Sequence, residues 1–433
     1  MNGDGYADVV VGDPLRPGSV PGAGRVSVHH GSWFGPHPAA DWVANGGQRG
    51  EHLGHAVVAL GDLNGDGFDD LIVSAPDHDR ELPVPDPAKH ALVGSPPTPW
   101  DRDHGRVAVY AGSAAGLSSL PVWKQSGVEP EEHFGIALAA GDLNGDGFDD
   151  LVIGAAGTSG GRGAVFVFHG SASGPDMFPD LILLAPTQET GMGTSVAADG
   201  DANGDGFDDL LVGQPKVLGG KAWIYLGSAQ GVDAQGAEIS QAVNYVRTSF
   251  GETLAWAGDV DADGLDDVLV GDPNFFASGG HGGGGLSKAG AVYLALGTAT
   301  GSQPAVLFAF GDTAGGRAGA ALAGAGDLDN DGRDDFGYSA PGLTAGGIVR
   351  GRVEWLRKPD ASNPDTMSEI QSPDTGTLFG RSLAGKRDVN GDGYPDVVIG
   401  EPYALDPDTS GRVLVYLGGP PSGIWNFPYV LKD

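Results

Sequence analysis

The carboxylates of this chain recur at fixed spacing. In Asp62-Leu63-Asn64-Gly65-Asp66-Gly67-Phe68-Asp69-Asp70, oxygen-bearing side chains stand at positions 1, 3, 5 and 9 of a nine-residue stretch, with glycine at positions 4 and 6. A hard dication collects six to eight oxygens in a flexible shell, and alternate positions of a tight turn can aim their oxygens at one centre. The glycine at position 6 permits the sharp reversal, the carbonyl of position 7 can turn inward, and the acid at position 9 can complete the shell. The stretch reads as a calcium loop.

Near-copies run the length of the chain. Position 1 is Asp62, Asp142, Asp201, Asp259, Asp327 and Asp388, and position 5 is Asp66, Asp146, Asp205, Asp263, Asp331 and Asp392. Position 3 is Asn64, Asn144, Asn203 and Asn390 in four copies but Asp261 and Asp329 in the fifth and sixth, so those two are expected to bind more tightly. The position 7 carbonyls belong to Phe68, Phe148, Phe207, Leu265, Arg333 and Tyr394, and position 9 is Asp70, Asp150, Asp209, Asp267, Asp335 and Asp396. A truncated copy at residues 1–8 supplies Asn2, Asp4, Tyr6 and Asp8 without the first acid, and weak or incomplete ion binding is expected there. The acids at position 8 (Asp69, Asp149, Asp208, Asp266, Asp334) read as solvent-facing groups or supports behind the ligands.

An EF-hand shares the first six positions but needs a bidentate Glu at position 12 and flanking helices. Position 12 here is Val73, Ile153, Val212, Val270, Tyr338 and Ile399, inside short β-branched runs such as Leu71-Ile72-Val73, so each loop opens a strand. A bare polar hairpin turn would explain one Asn-Gly-Asp-Gly. It does not explain six copies with acid at positions 1, 5 and 9.

One repeat yields four strands. A segment around His52-Leu53-Gly54 leads into the loop, with counterparts at Phe134-Gly135, Phe250-Gly251 and Phe379-Gly380. The apolar run after the loop is continuous enough to be buried on both faces. Gly105-Arg106-Val107-Ala108-Val109-Tyr110 alternates as a third strand, and Pro121-Val122-Trp123 marks a fourth. Four strands per repeat is the anatomy of a propeller blade, and a spacing of about 65 residues exceeds the roughly 40–45 of a WD40 blade.

Phe-Gly, then Gly-Asp-x-Asn-Gly-Asp-Gly-x-x-Asp, then Val-Gly-x-Pro, then Gly-x-Val-x-Val-Tyr resembles the FG-GAP repeat of the integrin α-subunit headpiece and its bacterial relatives. The resemblance covers essentially all 433 residues as a single domain. It implies an all-β, seven-bladed propeller of four-stranded antiparallel blades with calcium between the first and second strands. Integrins carry such loops in only some blades, so six complete copies look more like the bacterial members. The first blade is truncated, leaving two ways to close the ring. Either residues 425–433 pack on a three-stranded blade, or the missing strand lies upstream in a longer parent.

The net charge is −33, and positions 1, 3, 5 and 9 of the loops account for 22 of the 57 acids. Six calcium ions would return twelve positive charges, and the remaining acidity argues against nucleic acid and anionic membranes as partners. With no cysteine, calcium is the visible staple. No apolar run approaches a membrane span and no signal peptide opens the chain. Because Met1 stands at position 2 of a loop, a fragment or a misplaced start is expected.

Antiparallel order puts all the loops on one face and the variable connections between strands two and three on the other. The connections at 77–104, with Trp100, and 273–289, with its glycine run, are candidate binding excursions. Chemistry of other kinds is poorly supported. Gly157-Thr158-Ser159-Gly160-Gly161 has the letters of a nucleophile elbow but fills an inter-strand loop, and residues 280–285 satisfy G-x-G-x-x-G only through sheer glycine content. The eleven histidines form no zinc motif. The expectation is a non-enzymatic, calcium-stabilised, monomeric adhesion or interaction module, extracellular or at the cell surface. It would bind protein or glycan through the face opposite the calcium, with each loop serving its own blade. The alternative is an accessory or catalytic propeller of a secreted carbohydrate-active or phospholipase-like enzyme.

Overall fold

The computed structural model describes residues 1–16, 20–59, 61–79, 102–185, 190–217, 219–241, 248–276, 286–345, 348–357, 365–372, 374–403, 411–419, 423–424 and 428–432. It is an all-β, seven-bladed propeller of antiparallel sheets, six of them four-stranded and the first three-stranded. Blade three shows the pattern. Its strands Ala137–Gly141, Asp150–Ala155, Ala164–Phe168 and Leu181–Leu184 lie side by side in chain order. Among the described residues the helical content is one turn, Thr158–Gly161, where an inter-strand loop is expected; Ser159 there takes a left-handed φ of 53°.

The second strand is buried throughout in blades two to six, as its continuous apolar run predicts, while Asp396–Glu401 of blade seven leaves Val398 and Gly400 half-buried. Leu71–Ala75, Asp150–Ala155, Asp209–Gly213, Asp267–Asp272 and Asp335–Ala340 are buried at every residue, because each lies between two neighbouring blades. The third strand departs from the expected alternation for the same reason: in Arg106–Tyr110 all but the first residue are buried. Exposure alternates instead on outer strands such as Trp42–Asn45.

The core is distributed among the blade boundaries. Ile72, Val107 and Val109 pack against Leu151, Ile153 and Phe168 between blades two and three, and Val165 and Val167 meet Leu210 and Val212 between three and four. The Phe-Gly signature belongs to this packing. Phe134 is buried and bridges to Gly105 of the preceding blade, where an added Cβ would stand 2.2 Å from the Phe134 carbonyl oxygen. Only glycine fits so close an approach of backbone.

Blade one consists of Val9–Asp13, Arg25–His29 and Trp42–Asn45. The C-terminal strand Tyr429–Lys432 pairs with Arg412–Tyr416, so it completes blade seven, and Leu431 packs against Val9 of blade one. On the loop side the ring closes through the Ala7 amide, which donates to the Asp388 carbonyl at 2.9 Å. Residues 425–427 and 433, invoked for closure, lie outside the described residues. The inner strands of blades two to seven line one axial cavity of about 580 Å³, walled largely by small residues such as Ala139, Ala197 and Ala323. Across it the Lys386 ammonium of blade seven lies 3.3 Å from Asp199 of blade four.

Candidate metal centre

Each loop is folded by its own carboxylates before any ion is considered. In blade three Asp142 accepts from the amides of Gly145, Asp146 and Gly147 at 2.7–3.1 Å, Asn144 Oδ1 accepts from Asp146 at 2.8 Å, and Asp146 Oδ1 accepts from Phe148 at 3.0 Å. Short polar side chains holding amides two residues onward make successive Asx turns. Gly147 supplies the left-handed φ of 87° that the reversal needs. Position 9 then anchors the loop to the sheet, with Asp150 Oδ2 accepting from Leu143 at 3.2 Å and Oδ1 from Gly170 at 2.9 Å.

The copies separate at position 3. Among the described residues, carboxylate oxygens of Asp259, Asp261 and Asp267 lie within 4.8 Å of one another, as do those of Asp327, Asp329 and Asp335. Asp261 Oδ1 is buried with no donor in good hydrogen-bond geometry, and the Asp263 amide only partly offsets the burial and neighbouring acids that raise this carboxyl. Such a carboxylate oxygen is costly to bury unless a positive charge meets it. Three converging carboxylates with one oxygen left over fit a hard dication, and these two clusters could hold a metal ion. Asp263 and Asp331 at position 5 fall outside both groups and accept from the amides of Leu265 and Arg333. Where position 3 is Asn, the carboxamide satisfies the turn internally: Asn203 Nδ2 donates to Asp205 at 3.0 Å and Asn390 Nδ2 to Asp392 at 2.9 Å. The truncated copy does the same, with Asn2 Nδ2 donating to Asp4 at 2.9 Å, while Asp8 accepts from Gly31 at 3.0 Å.

The electrostatics point the same way. Burial, reinforced by the carboxylates at positions 1 and 5, pushes Asp70 up to about 6, while burial and loop acids push Asp150, Asp209, Asp267 and Asp396 up to about 7 and Asp335 to about 8. Backbone N–H groups oppose these shifts without cancelling them. A cation in the loop would reverse them.

Position 8 follows the second of its two expected roles, support behind the ligands, and the ligand it supports belongs to another blade. Four of these acids, Asp149, Asp208, Asp266 and Asp334, are partly buried and reach across the blade boundary to support the first ligand of the preceding loop: Asp149 Oδ2 accepts from the Asp62 amide at 2.8 Å, and Asp208 Oδ2 from Asp142 at 2.8 Å. Nothing in the local pattern announces a partner 66 or 87 residues away. Position 7 has a second role beside its carbonyl, since its side chain covers position 4 of the preceding loop. A Cβ on Gly65 would stand 2.4 Å from the Phe148 ring, and one on Gly391 2.7 Å from Tyr6. In blade five position 4 is Ala262, left-handed at φ 61°, and the facing residue is Arg333, which donates to the Val260 carbonyl at 3.2 Å.

On the opposite face residues 80–101 and 277–285 of the two excursions, Trp100 included, lie outside the described residues. Beside the first excursion Asp77 sits between two histidines, His52 Nδ1 at 2.5 Å and His133 Nδ1 at 3.0 Å. The hydrogen bond to Asp77 holds His133 above its ordinary value. The two histidines meet Asp77 from 25 and 56 residues away, which is why they form no motif in the sequence.

The FG-GAP repeat matches residues 54–88, 134–168, 192–225 and 379–416, which fall on blades two, three, four and seven. The chain is similar to integrin alpha-PS3 of Drosophila melanogaster, 34% identical over 182 residues, covering 40% of this chain and 14% of that protein. It is 34% identical to integrin alpha-5 of Xenopus laevis over 180 residues, covering 39% and 15%. Integrin alpha-V of Gallus gallus is 31% identical over 234 residues, covering 51% and 20%. The matches thus span a fifth or less of these relatives' length.

Proposed function

We infer that this chain, which carries FG-GAP repeats and is similar to integrin α subunits, is a calcium-stabilised propeller acting outside the cell as a non-enzymatic interaction module. The observation that carries the metal reading is the convergence of Asp259, Asp261 and Asp267 around an oxygen that has no donor in good geometry. The other four complete loops share the fold of these two with one carboxylate fewer and would bind calcium more weakly; the truncated loop would bind it least. Bound calcium supplies positive charge to carboxylates that the fold has already gathered and buried. Affinities suited to extracellular modules, Kd around 10⁻⁴–10⁻³ M, would leave such loops loaded in millimolar calcium and largely empty in cytosol.

The ligand surface would be the face opposite the metal, where the variable excursions emerge from a rigid scaffold. Protein or glycan is the class of ligand that fits an extracellular acidic propeller. No helix among the described residues is long and apolar enough to cross a membrane. Elemental analysis of the purified chain, followed by a glycan array and a pull-down in millimolar calcium and in chelator, tests both halves. Six calcium ions per chain and calcium-dependent capture are expected. A metal-free chain from calcium-containing buffer would sink the first half, and sustained polysaccharide turnover lost on changing His52 or His133 would replace the second.

A further inference from the structure

We propose that the carboxylates at position 8 couple neighbouring metal loops, so that blades two to six take up cations as one cooperative run that stops before blade seven. The inference rests on the reading of the loops as calcium sites.

The same double contact recurs at four successive boundaries. The amide that begins one loop donates to the position 8 carboxylate of the next blade: Asp62 to Asp149 and Asp142 to Asp208 at 2.8 Å, Asp201 to Asp266 at 3.0 Å, Asp259 to Asp334 at 3.1 Å. In return the position 8 amide donates to the carbonyl of that first residue, at 3.3, 3.1, 3.0 and 3.0 Å in the same order. Each contact therefore joins the first ligand of one loop to the residue beside the last ligand of the following loop. An ion that fixes Asp142 also fixes the N–H and C=O groups that hold Asp208. That in turn places Asp209, the residue that closes the next shell. The first ion bears part of the ordering cost of the second, which is positive coupling.

Charge acts through the same groups. The Asp149 carboxylate holds the amide of Asp62 in the loop before it and stands next to Asp150 of its own loop, and Asp208 bears the same relation to Asp142 and Asp209. A cation on either side relieves repulsion on a shared carboxylate. Direct repulsion between ions in neighbouring loops would act oppositely, and the sign of the cooperativity decides between them.

The run has a defined end. Blade seven carries Pro395 at position 8 and blade one carries Ala7, so neither offers a carboxylate. At the junction of blades seven and one the backbone bond from Ala7 to Asp388 persists alone, without the carboxylate half of the contact.

Calcium titration of the full, chelator-stripped chain by isothermal calorimetry tests this with three proteins. The unmodified chain is expected to show a Hill coefficient above 1. Asp208→Ala cuts the run between blades three and four, and should lower the Hill coefficient towards 1 and weaken the midpoint by about fivefold or more. A purely structural Asp208 would lower melting temperature without changing the Hill coefficient. Should Asp208→Ala not fold, Pro395→Asp decides: it extends the run, and the blade-seven ion should join the cooperative phase. A Hill coefficient unmoved by either variant overturns the coupling while leaving the calcium sites standing. No calcium uptake at all overturns the calcium reading beneath it.

Discussion

The loops of blades five and six and those of blades two, three, four and seven occupy the same place in the same repeat, yet they meet their charges differently. With Asn at position 3, Oδ1 accepts the position 5 amide, as Asn64 does from Asp66 at 2.9 Å, and in blades four and seven Nδ2 also donates to the position 5 carboxylate. That turn satisfies itself. With Asp at position 3 the side-chain amide donor is gone, three carboxylates converge, and Asp261 Oδ1 is left buried with no donor in good geometry. One atom's change of element, nitrogen to oxygen, converts a closed polar turn into one that lacks positive charge. The repeat thus provides a graded set of sites on a common scaffold.

Removing every ion at once should have the largest effect. At ~1 mM calcium and Kd ~10⁻⁴ M each site contributes roughly 1.4 kcal/mol. Several such sites in a chain of net charge −33 should move the melting temperature by on the order of 10 °C, read by calorimetry in calcium and in EDTA. Identical melts would remove the structural role of the metal from both classes of loop.

Acidity should act on the metal-free chain in an unusual direction. Position 9 carboxyls stand at about 6 to 8 in the fold against 3.8 unfolded, chiefly through burial. Between those values the folded chain holds protons that the unfolded chain has released. Their contribution is fully present below about pH 4 and is lost as pH rises through 6 to 8. In EDTA the melting temperature should therefore fall from pH 5 to pH 8, and calcium should abolish the fall by taking the protons' place. Asp335, raised furthest, places the steepest loss in blade six. A melt in EDTA that rises with pH over this window would contradict the buried, cation-poor geometry.

Much of this was legible in the sequence because it is local. The loop ligands lie within nine residues, the buried second strand within six, and both repeat often enough to fix the number of blades. The position 8 acids escaped because their hydrogen bonds are made to a different blade, 65 to 87 residues away, and an aspartate beside a ligand looks the same whether it faces solvent or a neighbour. His52, Asp77 and His133 escaped for the same reason. The covering of position 4 by position 7 left no consistent trace, since Gly204 is kept where the non-aromatic Leu265 faces it while position 4 is Ala262 in blade five and Asn330 in blade six.

Exchanging the two loop types tests their difference directly. Asp261→Asn should weaken the blade-five site by about tenfold, the equivalent of ~1.4 kcal/mol, because it replaces a ligand charge and restores an internal donor. Asn144→Asp should tighten blade three by a similar factor in calcium and destabilise it in EDTA, since the new carboxylate then lacks a counter-charge. Calorimetric titration of both variants settles the matter. Equal affinities before and after exchange would mean that position 3 does not set the difference.

The smallest effect is expected where a loop stands apart from its neighbours. Asp392→Ala removes the acceptor of the Tyr394 amide in blade seven, and Asp146→Ala removes the matching acceptor of Phe148 in blade three. Asp146→Ala deletes one neutral-donor hydrogen bond to a charged acceptor and Asp392→Ala two, because Asn390 Nδ2 also donates to Asp392; each bond contributes about 1.5–3 kcal/mol at most, less in an exposed turn. The difference lies in how far the loss travels. The Asp142 amide of blade three is held by Asp208 of the next blade, whereas blade seven is followed by Ala7, which has no carboxylate to offer. Hydrogen exchange should therefore rise only in the loop of blade seven for Asp392→Ala, but in the loops of both blades three and four for Asp146→Ala. If Asp146→Ala proves equally local, the boundary contacts are rigid joints that carry no information about the metal, and the two classes of loop differ only in their ligands.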